Sequence, residues 1–385
     1  MFATELNARE SIQEFPAERS RAYRRFTLDG DLNLENHLAA ICTAVSNEVQ
    51  RVVSRERLEA LFLAGGYGRG EGGVLRSVRG DQPYNDLEFY VLIRGNRFLN
   101  RQRFAPLLNA LAHEMTHRAG LEVEFHILSL AQLRHSRPSM FYYDLVVGHQ
   151  RLCGRESILH GCEHHHDPAR LPVFEATRLL MNRGTGLLLA KDRLWTEVPT
   201  EEDRDFIARN VAKAQLALGD AVLTVCGQYH WSCRERHQRL TTLRHSVNNQ
   251  PWFKAVVFHH RRGVEFKLHP IRTQASGGEL KKNHETIVDL MLHTWLWVEG
   301  QRLQRAFSSG REYATSTIDK CPESNPWRNL LLNAWIFGPA VLKSTRCRRH
   351  PRERILNEVA SRLWDRERAG ERLSDSYQRL WERVR

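Results

Sequence analysis

The chain has 385 residues, 41% of them hydrophobic, enough for more than one core and for two domains. Its formal charge is +12, and of its 57 basic residues eight are Lys and 49 are Arg, with no Lys before Lys191. Seven scattered Cys without a Cys-x-x-Cys pair argue against a disulfide framework and a zinc ribbon. With no run of about 18 apolar residues and no apolar leader, the expectation is a cytoplasmic protein without a membrane partner.

In chain order, Leu34, Leu38, Ile41, Val45 and Val49 recur at three- and four-residue steps and predict an amphipathic helix over 32–53. The apolar runs 61–64 and 87–93, bounded by Gly, Pro83 and Asn85, read as buried strands. Residues 104–119 are helical by pattern, and 121–128 alternate as a third strand. The apolar stretch 142–152 fits an edge strand or a short helix. Residues 161–172, crowded with His, Asp, Gly and Pro, mark a domain boundary. Beyond it, 173–191, 205–226, 285–306 and 352–384 (with breaks) are helical. The expected division is therefore an N-terminal helical extension (1–55), a strand-bearing domain (56–160) and an α-helical domain (170–385).

The strongest local signal is Gly65-Gly66-Tyr67-Gly68-Arg69-Gly70-Glu71-Gly72, directly after a predicted strand. Such a turn lets backbone N–H groups approach phosphate oxygens, which makes it a phosphate cradle. Because the N-terminal half lacks Lys, Arg69 is the nearest cation that could contact a phosphate there, in a fork geometry that Lys does not offer. Its alternative is a surface pair with Glu71 or Asp81. Asp86 and Glu88, two apart at the start of the next strand, face the same way. Two like charges so placed repel unless a divalent cation joins them. On the third strand Glu122, Glu124 and His126 share one face, and Glu124 could complete a three-carboxylate site for two Mg²⁺ ions, the arrangement suited to in-line phosphoryl displacement.

Gly65-Gly66 with Arg69, Asp86-x-Glu88 and the strand acid Glu124 together resemble the polymerase-beta-like nucleotidyltransferase superfamily, over about residues 55–155. Within it the look is nearest to the kanamycin-type, aminoglycoside-modifying enzymes. The resemblance implies an α+β fold, a small mixed-sheet nucleotidyltransferase domain followed by a mostly α-helical domain. It also implies a Mg²⁺-dependent transfer of NMP, foremost AMP from ATP, to an acceptor hydroxyl on a small molecule, glycan or protein, with release of pyrophosphate. Carried over, Gly65 and Gly66 hold the triphosphate, Asp86 and Glu88 the metals, and Glu124 is the third ligand or activates the acceptor. Gly66 stands where the family more often has Ser, so one hydroxyl contact to phosphate is missing. The basic charge keeps an RNA- or tRNA-directed transferase as the alternative, and a catalytically inactive nucleotide-binding module as a further one.

Two weaker sites lie in the helical half. Glu175, with Arg178 and Asn182 on its helix face, is a possible general base, and Lys213 a triphosphate contact. The run Cys162-Glu163-His164-His165-His166-Asp167 reads as a polar interdomain loop, since adjacent ligands in a loop rarely reach tetrahedral geometry.

Overall fold

The computed structural model describes residues 25–84, 86–195, 199–364 and 375–384. The Asp31 side chain accepts from the Leu34 amide and starts α1 (Leu32–Val52). The apolar stripe of α1 is buried in the same core as the sheet, so α1 is part of that core and not a separate extension. The expectation for 1–24 lies outside the described residues.

After α1 come β1 (Leu58–Leu63), a single helical turn α2 (Gly65–Gly68), the hairpin β2 (Val74–Ser77) and β3 (Gly80–Pro83), and β4 (Leu87–Ile93). Then follow α3 (Arg97–Ala119), β5 (Val123–Leu128), α4 (Leu130–His135), α5 (Met140–Val147) and β6 (Gln150–Gly154). The main sheet has the order β5-β4-β1-β6; β4 and β5 are parallel, joined across α3, and the other pairs are antiparallel. Alternation splits the strands between two cores. Leu61, Leu63, Leu87, Phe89 and Val91 pack under α1 and α3, while Ala60, Phe62, Tyr90 and Leu92 pack under α4 and α5. The hairpin was not foreseen, and the stretch 142–152 divides into the end of α5 and the start of β6.

The rest is helical: α6 (Phe174–Leu194), α7 (Glu201–Val225), α8 (Cys233–Thr241), α9 (Phe253–Leu268), α10 (Gly277–Leu303), α11 (Gly310–Thr315), α12 (Pro326–Phe337), α13 (Arg352–Trp364) and α14 (Asp375–Val384). These share one core around Leu187, Leu218, Met291, Trp295 and Val359. The chain is thus α+β. Two glycines let α7 and α9 cross closely: a Cβ on Gly219 would lie 2.3 Å from the His260 ring, and one on Gly263 2.5 Å from the Leu216 amide nitrogen. That approach carries the end of α9 toward the sheet. Among the described residues no helix is long and apolar enough to cross a membrane.

One half-buried imidazole predicts an acid-sensitive joint between α12 and α13. His350 accepts from the Arg352 amide (3.1 Å), and burial, with Arg352 and Arg328 adding, pushes it down from 6.5 to about 4. As the pH falls through 6.5 the unfolded chain takes the proton first, so stability present above 6.5 is lost down to about pH 4. His350→Asn should flatten the pH dependence of the urea midpoint over that window, by about 1 kcal/mol, well below the full linkage value because solvent reaches the half-buried ring. An unchanged slope would show that this imidazole does not contribute.

Candidate active site

Antiparallel pairing sets Leu63 opposite Phe89, so the turn leaving β1 stands beside the residues entering β4. The Ala64 amide donates to the Glu88 carbonyl at 2.9 Å. Parallel pairing aligns Glu88 with Glu124. Strand polarity therefore brings the glycine turn, Asp86, Glu88 and Glu124 to one end of the sheet.

The glycines of the turn do different jobs. Gly65 has φ +63°, and a Cβ there would sit 3.2 Å from the Glu88 carboxyl carbon. Gly65 and Gly66 line the cleft described below. Gly68 and Gly72 are there for packing: a Cβ at 68 would meet the Leu63 carbonyl oxygen at 2.2 Å, and one at 72 would meet the Tyr67 ring at 2.1 Å. The buried Tyr67 hydroxyl donates to the Gly73 carbonyl (2.9 Å) and accepts from the Tyr84 amide (3.0 Å), which staples the loop.

A cleft of about 1000 Å³ opens between this end of the sheet and helices α6, α7 and α9. Asp86 and Glu88 line one wall; Arg183, Arg209, Lys213 and Lys267 line the other. Burial raises the Glu88 carboxyl above its usual range and Asp86 raises it further, with Arg69 and His126 opposing. Lys213 is lowered by burial and by Arg183 and Arg209, while Asp86 pulls it back. Lys267 is lowered by burial and by Arg69. Burial likewise lowers Arg183. Among the described residues none of Arg183, Lys213 and Lys267 has a hydrogen-bond or ion-pair partner. Arg183 and Lys267 are half-buried and Lys213 is exposed on the cleft side; half-buried unpaired cations are costly, and the three together suit a polyanion.

Several expected roles need correction. Glu124 pairs with His126 at 3.2 Å, and the Tyr90 ring stacks on His126 with centroids 4.8 Å apart. Glu122, not Glu124, is among the cleft-lining residues. Among the described residues no group of three His, Cys, Asp or Glu is placed to hold a metal ion, so the three-carboxylate cluster is not assembled. The physical reason is local: His126, two residues on along the same strand face, holds the Glu124 carboxylate.

Arg69 borders the cleft, but its Nη1 lies 3.0 Å from Asp144 and its side chain is 10% exposed. Burial disfavours its charge, and Asp144, with Tyr229 and Glu71, more than restores it. It is neither a surface residue nor a free phosphate ligand. Of the partners expected for it, Glu71 instead bonds the Ser232 hydroxyl and the Cys233 amide (2.8 Å), and Asp81 pairs with Arg76.

Glu175 is buried, accepting from the Met140 amide (2.9 Å) and from Arg178 (2.7 Å). It fixes the start of α5 and is not a general base at the cleft. The loop 162–167 buries Cys162 in the sheet core, and the His165 ring bonds the Leu133 carbonyl (2.9 Å).

A buried polar chain joins the sheet to the helices. Asp144 takes the Tyr229 hydroxyl at 3.2 Å; Arg236 reaches the Tyr229 oxygen at 3.4 Å and Asp220 at 2.6 Å; and Asp220 meets the His260 ring at 3.0 Å. Arg183 and Lys267 were not foreseen. Arg183 is one residue past the chosen polar face of α6, and α9 was not recognised as a helix, although its Lys is one of only eight in the chain.

Compared with family models, with curated proteins and with solved structures, the chain matches none.

Proposed function

We propose that the chain is a nucleotidyltransferase of the polymerase-beta type, with a small mixed-sheet catalytic domain closed by a helical domain. It moves NMP, foremost AMP from ATP, to an acceptor hydroxyl on a small molecule, glycan or protein. The observation that supports this reading is the opposition, across one cleft, of Gly65, Gly66, Asp86 and Glu88 to the unpaired Arg183, Lys213 and Lys267.

In the reaction the acceptor oxygen bonds to the α-phosphorus, the bond to the bridging oxygen breaks, and pyrophosphate leaves with the electron pair. Arg183, Lys213 and Lys267 offset the charge that develops on the leaving pyrophosphate. Gly65 and Gly66 let the turn approach the phosphates without side-chain interference. Asp86 and Glu88 are hard oxygen donors whose mutual repulsion fits them for Mg²⁺. Mg²⁺, when bound, would screen the triphosphate and polarise its α-phosphate. The acceptor proton leaves to solvent, since Glu124, paired with His126, does not line the cleft.

Calorimetric titration with ATP, GTP, CTP and UTP in Mg²⁺ tests the reading. The expected result is binding of at least one triphosphate, weakened about tenfold by Lys213→Met and again by Lys267→Met, with unfolding midpoints unchanged for Lys213→Met and not lowered for Lys267→Met, which removes a charge that burial disfavours. No binding of any triphosphate, or binding indifferent to both substitutions, would contradict it.

A further inference from the structure

Helix α12 is built inside out. It buries Asn329 and Asn333 and exposes Trp327 (66%), Leu331 (69%) and Trp335 (82%). The buried amides are satisfied: Asn329 donates to the Arg348 carbonyl (3.0 Å), and Asn333 to those of Cys347 (2.8 Å) and Arg349 (2.7 Å). The polar side is therefore what fastens the helix to the following segment, and the apolar side is left outward. The spacing i, i+4, i+8 aligns the three side chains along about 12 Å of one face. Leu342, in the turn behind, is exposed as well. Apolar side chains aligned at this exposure mark an interaction surface.

Charge indicates the occupant. Between Glu323 and Glu353 there is no acidic residue, and there are six Lys or Arg. Four of these, Arg328, Lys343, Arg346 and Arg348, are exposed, and among the described residues none has an ion-pair partner. The Arg348 guanidinium lies 4.8 Å from the Trp327 ring centroid, so the cations reach the ridge itself. A second copy of the chain would set these cations against each other. Trp327, Leu331 and Trp335 line neither of the clefts formed by the described residues around Lys213 and around Tyr377, and the aliphatic Leu331 has no part in base stacking. Large apolar side chains flanked by long, flexible cations need no shape match when the partner is a fluid anionic surface.

We infer that α12 and the turn behind it dock on an anionic lipid surface. The Trp327–Leu331–Trp335 ridge enters the headgroup layer, and the four cations meet lipid phosphates. With 12 residues, α12 lies in the plane of the surface and does not cross it. This docking is independent of the cleft chemistry.

Flotation of the full chain tests it, with vesicles of phosphatidylcholine alone and of phosphatidylcholine with phosphatidylserine, and with a single-stranded oligonucleotide in a parallel arm. Binding is expected to the phosphatidylserine vesicles, to fall with salt, and to weaken about tenfold in Trp327→Ser/Trp335→Ser and in Arg346→Glu/Arg348→Glu. All four side chains are exposed, so unfolding midpoints should hold; if the Trp pair unfolds, the Arg pair decides. No flotation at low salt, or flotation unchanged in the double variants, would overturn the inference. So would a preference for the oligonucleotide that is lost with the Trp pair, or a concentration-dependent mass increase abolished by it.

Discussion

Asp86→Asn is expected to lower nucleotidyl transfer by about 10³-fold or more while leaving the fold intact. The residue lines the cleft at the entrance to β4 and, among the described residues, has no hydrogen-bond or ion-pair partner, so the loss falls on the chemistry. Glu88→Gln should be as inactive, but with a different second readout. Burial and Asp86 both disfavour the charge of Glu88 in the folded protein. A neutral amide of the same size removes that cost, so the midpoint should rise by about 0.5–1 kcal/mol as activity disappears. Transfer within twofold of the parent in either variant would show that these carboxylates do not act on the reacting phosphate.

The second large effect is on stability. Arg236→Met should cost about 3–5 kcal/mol, read by urea denaturation, because it strands the buried Asp220 beside His260 and removes the link to Tyr229. Asp220→Asn in the same chain should return part of the loss, since the orphaned charge goes with it. The pair Arg236–Asp220 ties α7, the helix that presents Lys213, to α8, so its loss should also loosen triphosphate binding. A cost under about 1 kcal/mol would mean that water replaces the guanidinium without penalty.

The elements with strong period and clear punctuation were legible in the sequence. The stripe from Leu34 to Val49 gives α1 within a residue, and the apolar run at Leu87 gives β4 at both ends. The neighbourhood of β4 and β5 followed from the acids on each, and pairing aligns Glu88 with Glu124. What was not legible depends on tertiary partners. The hairpin β2–β3 has no apolar alternation, because only Val74 of its eight residues is buried. Helix α9 carries a glycine at 263 that reads as a break but lets the backbone of α7 approach. In α12 the apolar period points outward, so pattern alone assigns it the wrong face. The role of Arg69 turned on Asp144, 75 residues away, and that of Glu124 on a His126 that could have been read from its spacing.

Labelled substrate reads directly which bond of the triphosphate breaks. The protein is incubated with Mg²⁺ and ATP labelled at the α- or the γ-phosphate, together with an extract fractionated into small molecules, glycans and proteins as acceptors. A nucleotidyltransferase carries α-label into an acceptor fraction while γ-label leaves as pyrophosphate, and Asp86→Asn abolishes both. Transfer of the γ-label, release of γ-label as inorganic phosphate, or no movement of either label with any nucleoside triphosphate and any acceptor fraction would contradict the proposed reaction.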